Sequence, residues 1–386
     1  MNKIPKGWEV KKLGEICEIT MGQSPKGENV FENSQSLNGL EFHQGKICFT
    51  DKFISKSKFI TSDIRKIAEA GSILLCVRAP VGVINLTERK IAIGRGLCAL
   101  KANNQNNNFL YYYLLGLKQY FESKATGSTF SAITLNIVKN CEIPLPPLSE
   151  QKAIADKLDD SFAKIENAIT NLINAKENLK LYKQSVLKSA FNGDLLPNTS
   201  PTHWEVKKLG EICEKISAGG DKPAEFSPIK TNDFKIPIYS NGIKDNGLYG
   251  YTKYATINKQ AVTVSARGTI GFVCVRNEPF CPIVRLISAI PKDNILDLKF
   301  LAYALKFKIP SGEGSSIPQL TVPNFKQLEI PLPPLSEQNL IVAEIDRRFA
   351  IVDKTLNLID KSIQNAKNLK QSILKKAFSG ELRSDI

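Results

Sequence analysis

Two pairs of adjacent prolines, Pro146-Pro147 and Pro333-Pro334, are the first candidates for chemistry. Each lies in the same nine residues, Ile-Pro-Leu-Pro-Pro-Leu-Ser-Glu-Gln, at 143–151 and again at 330–338. Enzymes that methylate the adenine amine place two prolines between a polar residue, which accepts the amine hydrogens, and an aromatic ring, which stacks the flipped base. Here the pairs are flanked by Leu145 and Leu148, and by Leu332 and Leu335, which do neither job. Eight cysteines contain no C-x-x-C pair and only His43 and His203 complement them, so no zinc site is expected. A disulfide framework does not suit a cytosolic chain of this size, and Cys17 and Cys213 read as small buried side chains. No G-x-x-x-x-G-K-[ST] loop is present to cradle a nucleotide. Asp194 followed by Glu205-Val206-Lys207 sketches a metal-nuclease, but the matching Glu9-Val10-Lys11 has no upstream aspartate. The expectation is a chain that does no catalysis and holds no metal or cofactor of its own.

Charge points to binding. The chain carries +14 at pH 7, which suggests an anionic partner. The excess is +7 over 1–148 and +4 over 194–335, against +1 over 149–193 and +2 over 336–386. Two basic blocks are therefore separated by nearly neutral segments. Apolar residues make up 42%, enough for a core in each of two or three domains in 386 residues. The polar opening and the lack of any apolar run of roughly 18 residues imply no signal peptide and no membrane. A cytoplasmic location is the simplest expectation.

The blocks are copies of one plan. Trp-Glu-Val-Lys-Lys-Leu-Gly-Glu-Ile-Cys-Glu at 8–18 returns unchanged at 204–214, and SVLKSAFNGDL at 185–195 returns as SILKKAFSGEL at 372–382. GSTFSAIT at 127–134 aligns with GSSIPQLT at 314–321, and ILLCVRAPVG at 73–82 with VTVSARGTIG at 262–271. Within each copy, short β-rich runs and short helices come first and predict a mixed α+β head. A long helical pattern follows. Its apolar seam runs Leu158, Phe162, Ile165, Ile169, Leu172, then polar Lys176, then Leu179; the second copy runs Ile345, Phe349, Val352, Leu356, Ile359, Ile363. Steps of three and four are heptad spacing, so each stripe can bury itself against the other. The prolines then mark the joint between head and rod. They forbid helix before it, Ser149 and Ser336 serve as N-caps, Glu150 and Glu337 suit the positive helix end, and Gly193 and Gly380 stop helices of about 42 residues. The domain expectation is 1–148 and 196–335 as heads, with 149–195 and 336–386 as helices.

Two basic heads on a doubled rod resemble a dimeric DNA reader fused into one chain. More narrowly, the repeated WEVKKLGEICE opening, the IPLPPLSEQ joint, the heptad helix and the LK-x-AF-x-G-x-L ending are similar to the specificity subunit of type I restriction-modification systems. The glycine before tryptophan is present at Gly7 and replaced by His203 in the second copy. The resemblance spans essentially the whole chain. It implies an α+β fold with two target recognition domains, joined by two long antiparallel coiled-coil helices with pseudo-two-fold internal repetition. It also implies that each head reads half of a split site in double-stranded DNA while the helices set the spacer and dock two methyltransferase subunits. N6-adenine methylation would use S-adenosylmethionine held by those partners, and cleavage would use restriction subunits with their ATP and Mg2+.

Only 10 of the 52 basic residues are arginines, so arginine placement is informative. Arg78 and Arg267 fall at matched positions in the repeated strand-turn, and Arg95 and Arg285 in the next strand pattern of each head. Arginine holds guanine bidentately in the major groove, or clamps phosphate. In the matched loops at 21–27 and 217–223, Gln23, Ser24, Lys26 and Lys222 are candidate DNA contacts. Tyr239, Asn241, Lys244 and Tyr251 are candidates from the stretch YSNGIKDNGLYGYTKY at 239–254, and Thr129 and Ser316 from the Gly-Ser loops. Two other readings stay open: a stand-alone architectural or regulatory DNA-binding protein, and a divergent nuclease.

Overall fold

The computed structural model describes residues 5–32, 39–127, 131–197, 201–309, 312–313 and 320–382. It divides into two compact units, Met1–Leu172 with Lys361–Ile386, and Ile173–Asp360. In the first unit, β1 (Glu9–Lys12) leads to β2 (Cys17–Met21), β3 (Ile73–Cys76), β4 (Ile84–Leu86), β5 (Leu97–Ala102), helix α1 (Asn107–Gly116) and β6 (Glu142–Leu145). The long helix α2 spans Leu148–Asn192. The second unit repeats the plan with β7 (Glu205–Lys208), β8 (Cys213–Ala218), β9 (Ala261–Val264), β10 (Val273–Arg276), β11 (Ile287–Pro291), helix α3 (Leu298–Lys308) and β12 (Glu329–Leu332), and α4 spans Leu335–Ser379.

Each head is built on an antiparallel four-stranded sheet of the same order, β2-β5-β3-β4 in one and β8-β11-β9-β10 in the other. Strand β3 is apolar at every position because both of its faces are covered. Ile73 and Leu75 face the core shared with Phe109 and Leu110 of α1, while Leu74 and Cys76 pack with Ala68, Ile91 and Ile93. The latter three belong to a second, five-stranded sheet of very short strands. In the other head, Val262 and Val264 share the core with Phe300 and Leu301. Cys17 and Cys213 are buried in these cores, which pushes both thiols up to about 12.

The repeated motifs meet in space. β1 pairs with β6, Val10 opposite Pro144, and β7 with β12, Val206 opposite Pro331, so the opening of each repeat is stitched to its proline joint. The last residue of the nonapeptide then ties the joint to the head. The amide of Gln151, 1% exposed, donates to the Pro146 carbonyl at 2.9 Å and accepts from the Asn106 N–H at 3.0 Å. Gln338 does the same with Pro333 and Asp297, at 2.9 and 2.8 Å. Asn106 and Asp297 in turn cap α1 and α3 through Phe109 N and Phe300 N.

The long helices begin one residue earlier than expected. The Pro147 carbonyl accepts from Gln151 N at 2.9 Å and that of Pro334 from Gln338 N at 3.0 Å, so Leu148 and Leu335 are already helical. Ser149 and Ser336 sit inside the first turn and are not the caps. Proline, whose φ is preset for a helix entry, precedes each first turn. The helices run 45 residues rather than 42. α2 ends at Gly193, at φ +82°, with Asp194 N donating to Ser189 O at 2.8 Å and Gly193 N reaching Ala190 O at 3.4 Å. That bond pair is a Schellman stop. A Cβ on Gly193 would meet the Pro201 ring at 2.7 Å, so the linker packs where only glycine leaves room.

Along the helices, Leu158, Phe162, Ile165, Ile345, Val352 and Ile359 are buried, and Ile169, Leu172, Leu179, Phe349, Leu356 and Ile363 are half-buried. Within the first unit Glu166 pairs with Lys370; within the second Lys176 pairs with Asp360 at 2.6 Å and Lys183 with Asp353 at 2.5 Å. In the second unit partner numbers fall as the first numbers rise, so the two helix segments there run antiparallel. Lys176, the polar break in the seam, is accommodated by its own ion pair. Each head is also clamped to its helix by Tyr112 on Asp159 and Tyr303 on Asp346, with rings edge-on to Phe162 and Phe349.

Candidate nucleic-acid interface

The candidate residues of the first head gather where three segments turn at one end of its central sheet. Arg78 follows β3, and its neighbour Val77 donates N–H to the Gly96 carbonyl at 3.0 Å. Arg95 lies in the tight turn ahead of β5, not in a strand. That turn is fastened to the loop after β2 by Gly22 N to Leu97 O, 2.9 Å, and Gln23 N to Ile93 O, 3.1 Å. Gln23, Arg78 and Arg95 are all exposed there. Ser24 hydrogen-bonds the side chain of Gln44 at 2.8 Å, and Lys26 stands outside, 3.7 Å from Glu28.

The second head repeats this frame with different side chains. Arg267 is exposed after β9, and Arg285 is exposed in the turn ahead of β11. Gly219 N bonds Leu286 O at 2.8 Å, as Gly22 does Leu97, which sets the register between heads. In that register Arg267 matches Arg78, while Arg285 matches Gly96 and Val284 matches Arg95. The turn has been rebuilt, with Val284 and Arg285 at φ +53° and +61°. Asn241 braces the two arginine turns: its amide donates to the Val284 carbonyl at 2.5 Å and accepts from Ala266 N at 2.8 Å. Tyr239 is half-buried with the Arg276 guanidinium 3.6 Å above its ring. Arg276 also donates to the Asn246 carbonyl at 2.7 Å, holding the left-handed Asp245-Asn246 turn that carries exposed Lys244. Tyr251 lies in the strand Leu248–Thr252, opposite Pro237, and Lys222 rests 4.0 Å over Phe226. Thr129 and Ser316 lie outside the described residues.

Sequence reasoning missed a charged brace beneath the first head's turns. Arg89 grips Glu41 through two bonds of 2.5 and 2.6 Å, while His43 and the Ser57 N–H approach the same carboxylate at 2.8 and 2.7 Å. Burial works against the ionised Glu41, but Arg89, Ser57 and His43 outweigh it and pull its pKa down to about 2. Burial also lowers His43, which is 2% exposed. The buried Gln151 and Gln338 were likewise missed, although the repetition of glutamine at the end of each nonapeptide was a signal. The nuclease sketch places Glu205 and Lys207 on β7, where they pair with each other at 2.9 Å.

The family model described as "Type I restriction modification DNA specificity domain" matches residues 5–175 and, a second time, 201–366. The chain belongs to this family. A Mycoplasma pneumoniae chain bearing the name of a type I specificity subunit is 36% identical over 279 residues, covering 70% of this chain and 81% of its own length. The MjaIX type I restriction enzyme specificity subunit of Methanocaldococcus jannaschii is 25% identical over 425 residues, covering 99% and 95%. Among solved structures, a chain from work on complex assembly and conformational transition of the type I R-M system superposes with a TM-score of 0.80 at 24% identity, covering 98% of this chain and all of its own. The HsdS subunit from Thermoanaerobacter tengcongensis gives 0.60, also at 24%, with 98% of each chain covered. These two likenesses concern the fold. As a type I specificity subunit, the chain has two family domains that coincide with its two repeats, and no helix among its described residues is long and apolar enough to cross a membrane.

Proposed function

We propose that the chain is the non-catalytic DNA-reading subunit of a cytoplasmic type I restriction-modification complex. Residues 1–148 and 196–335 each read one half of a bipartite duplex site, and the helical segments 149–195 and 336–386 set the spacer and dock two methyltransferase subunits. Those partners hold S-adenosylmethionine and methylate adenine at N6, and restriction subunits bring ATP and Mg2+ for cleavage. The observation carrying this reading is the pair of exposed, register-matched arginines, Arg78 and Arg267, at the same end of two sheets of identical order in a chain of net charge +14. Different side chains around a shared frame suit two half-sites of different sequence. Methylated adenines are to be mapped genome-wide with and without this chain, and in vitro with methyltransferase subunits and S-adenosylmethionine. Sequence-specific methylation is expected only when all three are present. Unchanged specificity without the chain would defeat the proposal, and metal-dependent cleavage by the purified chain alone would revive a nuclease.

A further inference from the structure

We propose that Gln44 is a specificity-determining residue of the first head and reads an adenine edge. The inference rests on that head being a DNA reader and goes beyond it to one residue and one base. Gln44 follows the strand Leu40–His43, whose Glu41 and His43 are fixed by the Arg89 brace. Its backbone carbonyl takes Gly96 N–H at 3.2 Å, and the preceding His43 carbonyl takes Gly94 N–H at 2.8 Å, so it is fastened to both sides of Arg95. Its side chain lies over Gly94: a Cβ there would meet Gln44 Oε1 at 2.1 Å. Glycine at 94 is thus what allows this amide its place in the exposed arginine cluster.

The amide is oriented but not consumed. Its one side-chain partner among the described residues is the Ser24 hydroxyl, which it contacts through Nε2 at 2.8 Å and Oε1 at 3.2 Å. The hydroxyl faces both atoms of the donor–acceptor edge of this exposed side chain, so a base reads the amide by taking the hydroxyl's place on that edge. The corresponding segment of the second head makes the contrast: strand Ile236–Tyr239 also runs parallel to its neighbour, but the amide that follows, Asn241, bridges two backbone groups. A neutral amide neutralises no phosphate charge, whereas the donor and acceptor on the edge that Ser24 now holds match adenine N7 and N6 in the major groove. Serine fixes the rotamer before DNA arrives, which lowers the ordering cost of the contact.

The test uses the full chain assembled with methyltransferase subunits and S-adenosylmethionine, on duplex libraries randomised in one half-site at a time. Exchange of 20–140 for another head assigns the half-site to the first head. Gln44→Ala is expected to lose about ten- to hundredfold discrimination for adenine at one position of that half-site, with the other half-site untouched. Gln44→Glu, which keeps the shape and the serine contact, is expected to turn that position toward cytosine, whose N4 amine donates to a carboxylate. Unchanged preference in both variants, or uniform weakening at every position, overturns the proposal. Arg78→Ala and Arg95→Ala distinguish the two failures. If they weaken binding while Gln44 variants do nothing, only this inference falls; if they too change nothing, the DNA-reading assignment of the head falls with it.

Discussion

At the scale of single residues, Glu41 of the first head gathers Arg89, His43 and the Ser57 N–H onto one carboxylate. Its pKa is depressed in the folded chain, so its contribution is complete above the unfolded value of roughly 4.3 and disappears as pH falls toward 2. Neutral His43, also depressed, adds stability that declines once pH drops below roughly 6.5. Acidification from pH 7 to 4 should therefore loosen residues 40–61 and 84–93 before the second head, read by peptide-resolved hydrogen exchange. Glu41→Gln should cost about 1–3 kcal/mol at pH 7 and flatten that acid response. The matched placing of Arg78 and Arg267 was legible because arginine is rare in this chain and these two recur in register, whereas Arg95 and Arg285 lie in turns that the strand pattern hid. Glu41, His43 and Gln44 were not, because their meaning comes from Arg89 and Gly94, about 50 positions away and adjacent only after folding.

At the scale of elements, the joint is more than a break between strand and helix. Gln338, fully buried, satisfies one carbonyl of the proline pair and the N–H at the start of α3 together. Its Nε2 also donates to the Ile295 carbonyl at 2.9 Å, so Gln338→Leu should take a partner from three backbone groups and cost about 2–4 kcal/mol, seen as a lower melting temperature, whereas Gln338→Glu should retain the acceptor half of the link. The long helices were readable from heptad spacing because a stripe repeated over many turns has few alternative explanations. The small sheets were not. Strands of two to four residues, such as Ile67–Ala68 and Cys281–Pro282, are too short to show a period and exist through pairings with distant partners.

At the scale of the molecule, duplication within one chain lets two reading heads diverge while the helices remain common to both. Insertion of one helical turn within 165–180 should lengthen the gap between the two methylated half-sites and leave both half-site sequences unchanged. Methylome mapping of the insertion variant checks this; altered half-sites with an unchanged gap would remove the helices' role as a spacer. The sequence repeats foretold two copies of one fold because both keep the motifs that pair with each other, β1 with β6 and β7 with β12. The turns between those motifs are where the copies differ, and there Gly96 has become Arg285 with a left-handed backbone.

The two tryptophans have drifted apart in a useful way. The Trp8 indole donates to Glu150 at 3.1 Å, whereas His203 stands 3.0 Å from the matching Glu337 and the Trp204 indole nitrogen is buried without a partner among the described residues. Each half of the chain therefore contains one tryptophan, in distinct electrostatic surroundings. Single Trp→Phe replacements turn the chain into a pair of optical reporters, one per head, with no label attached.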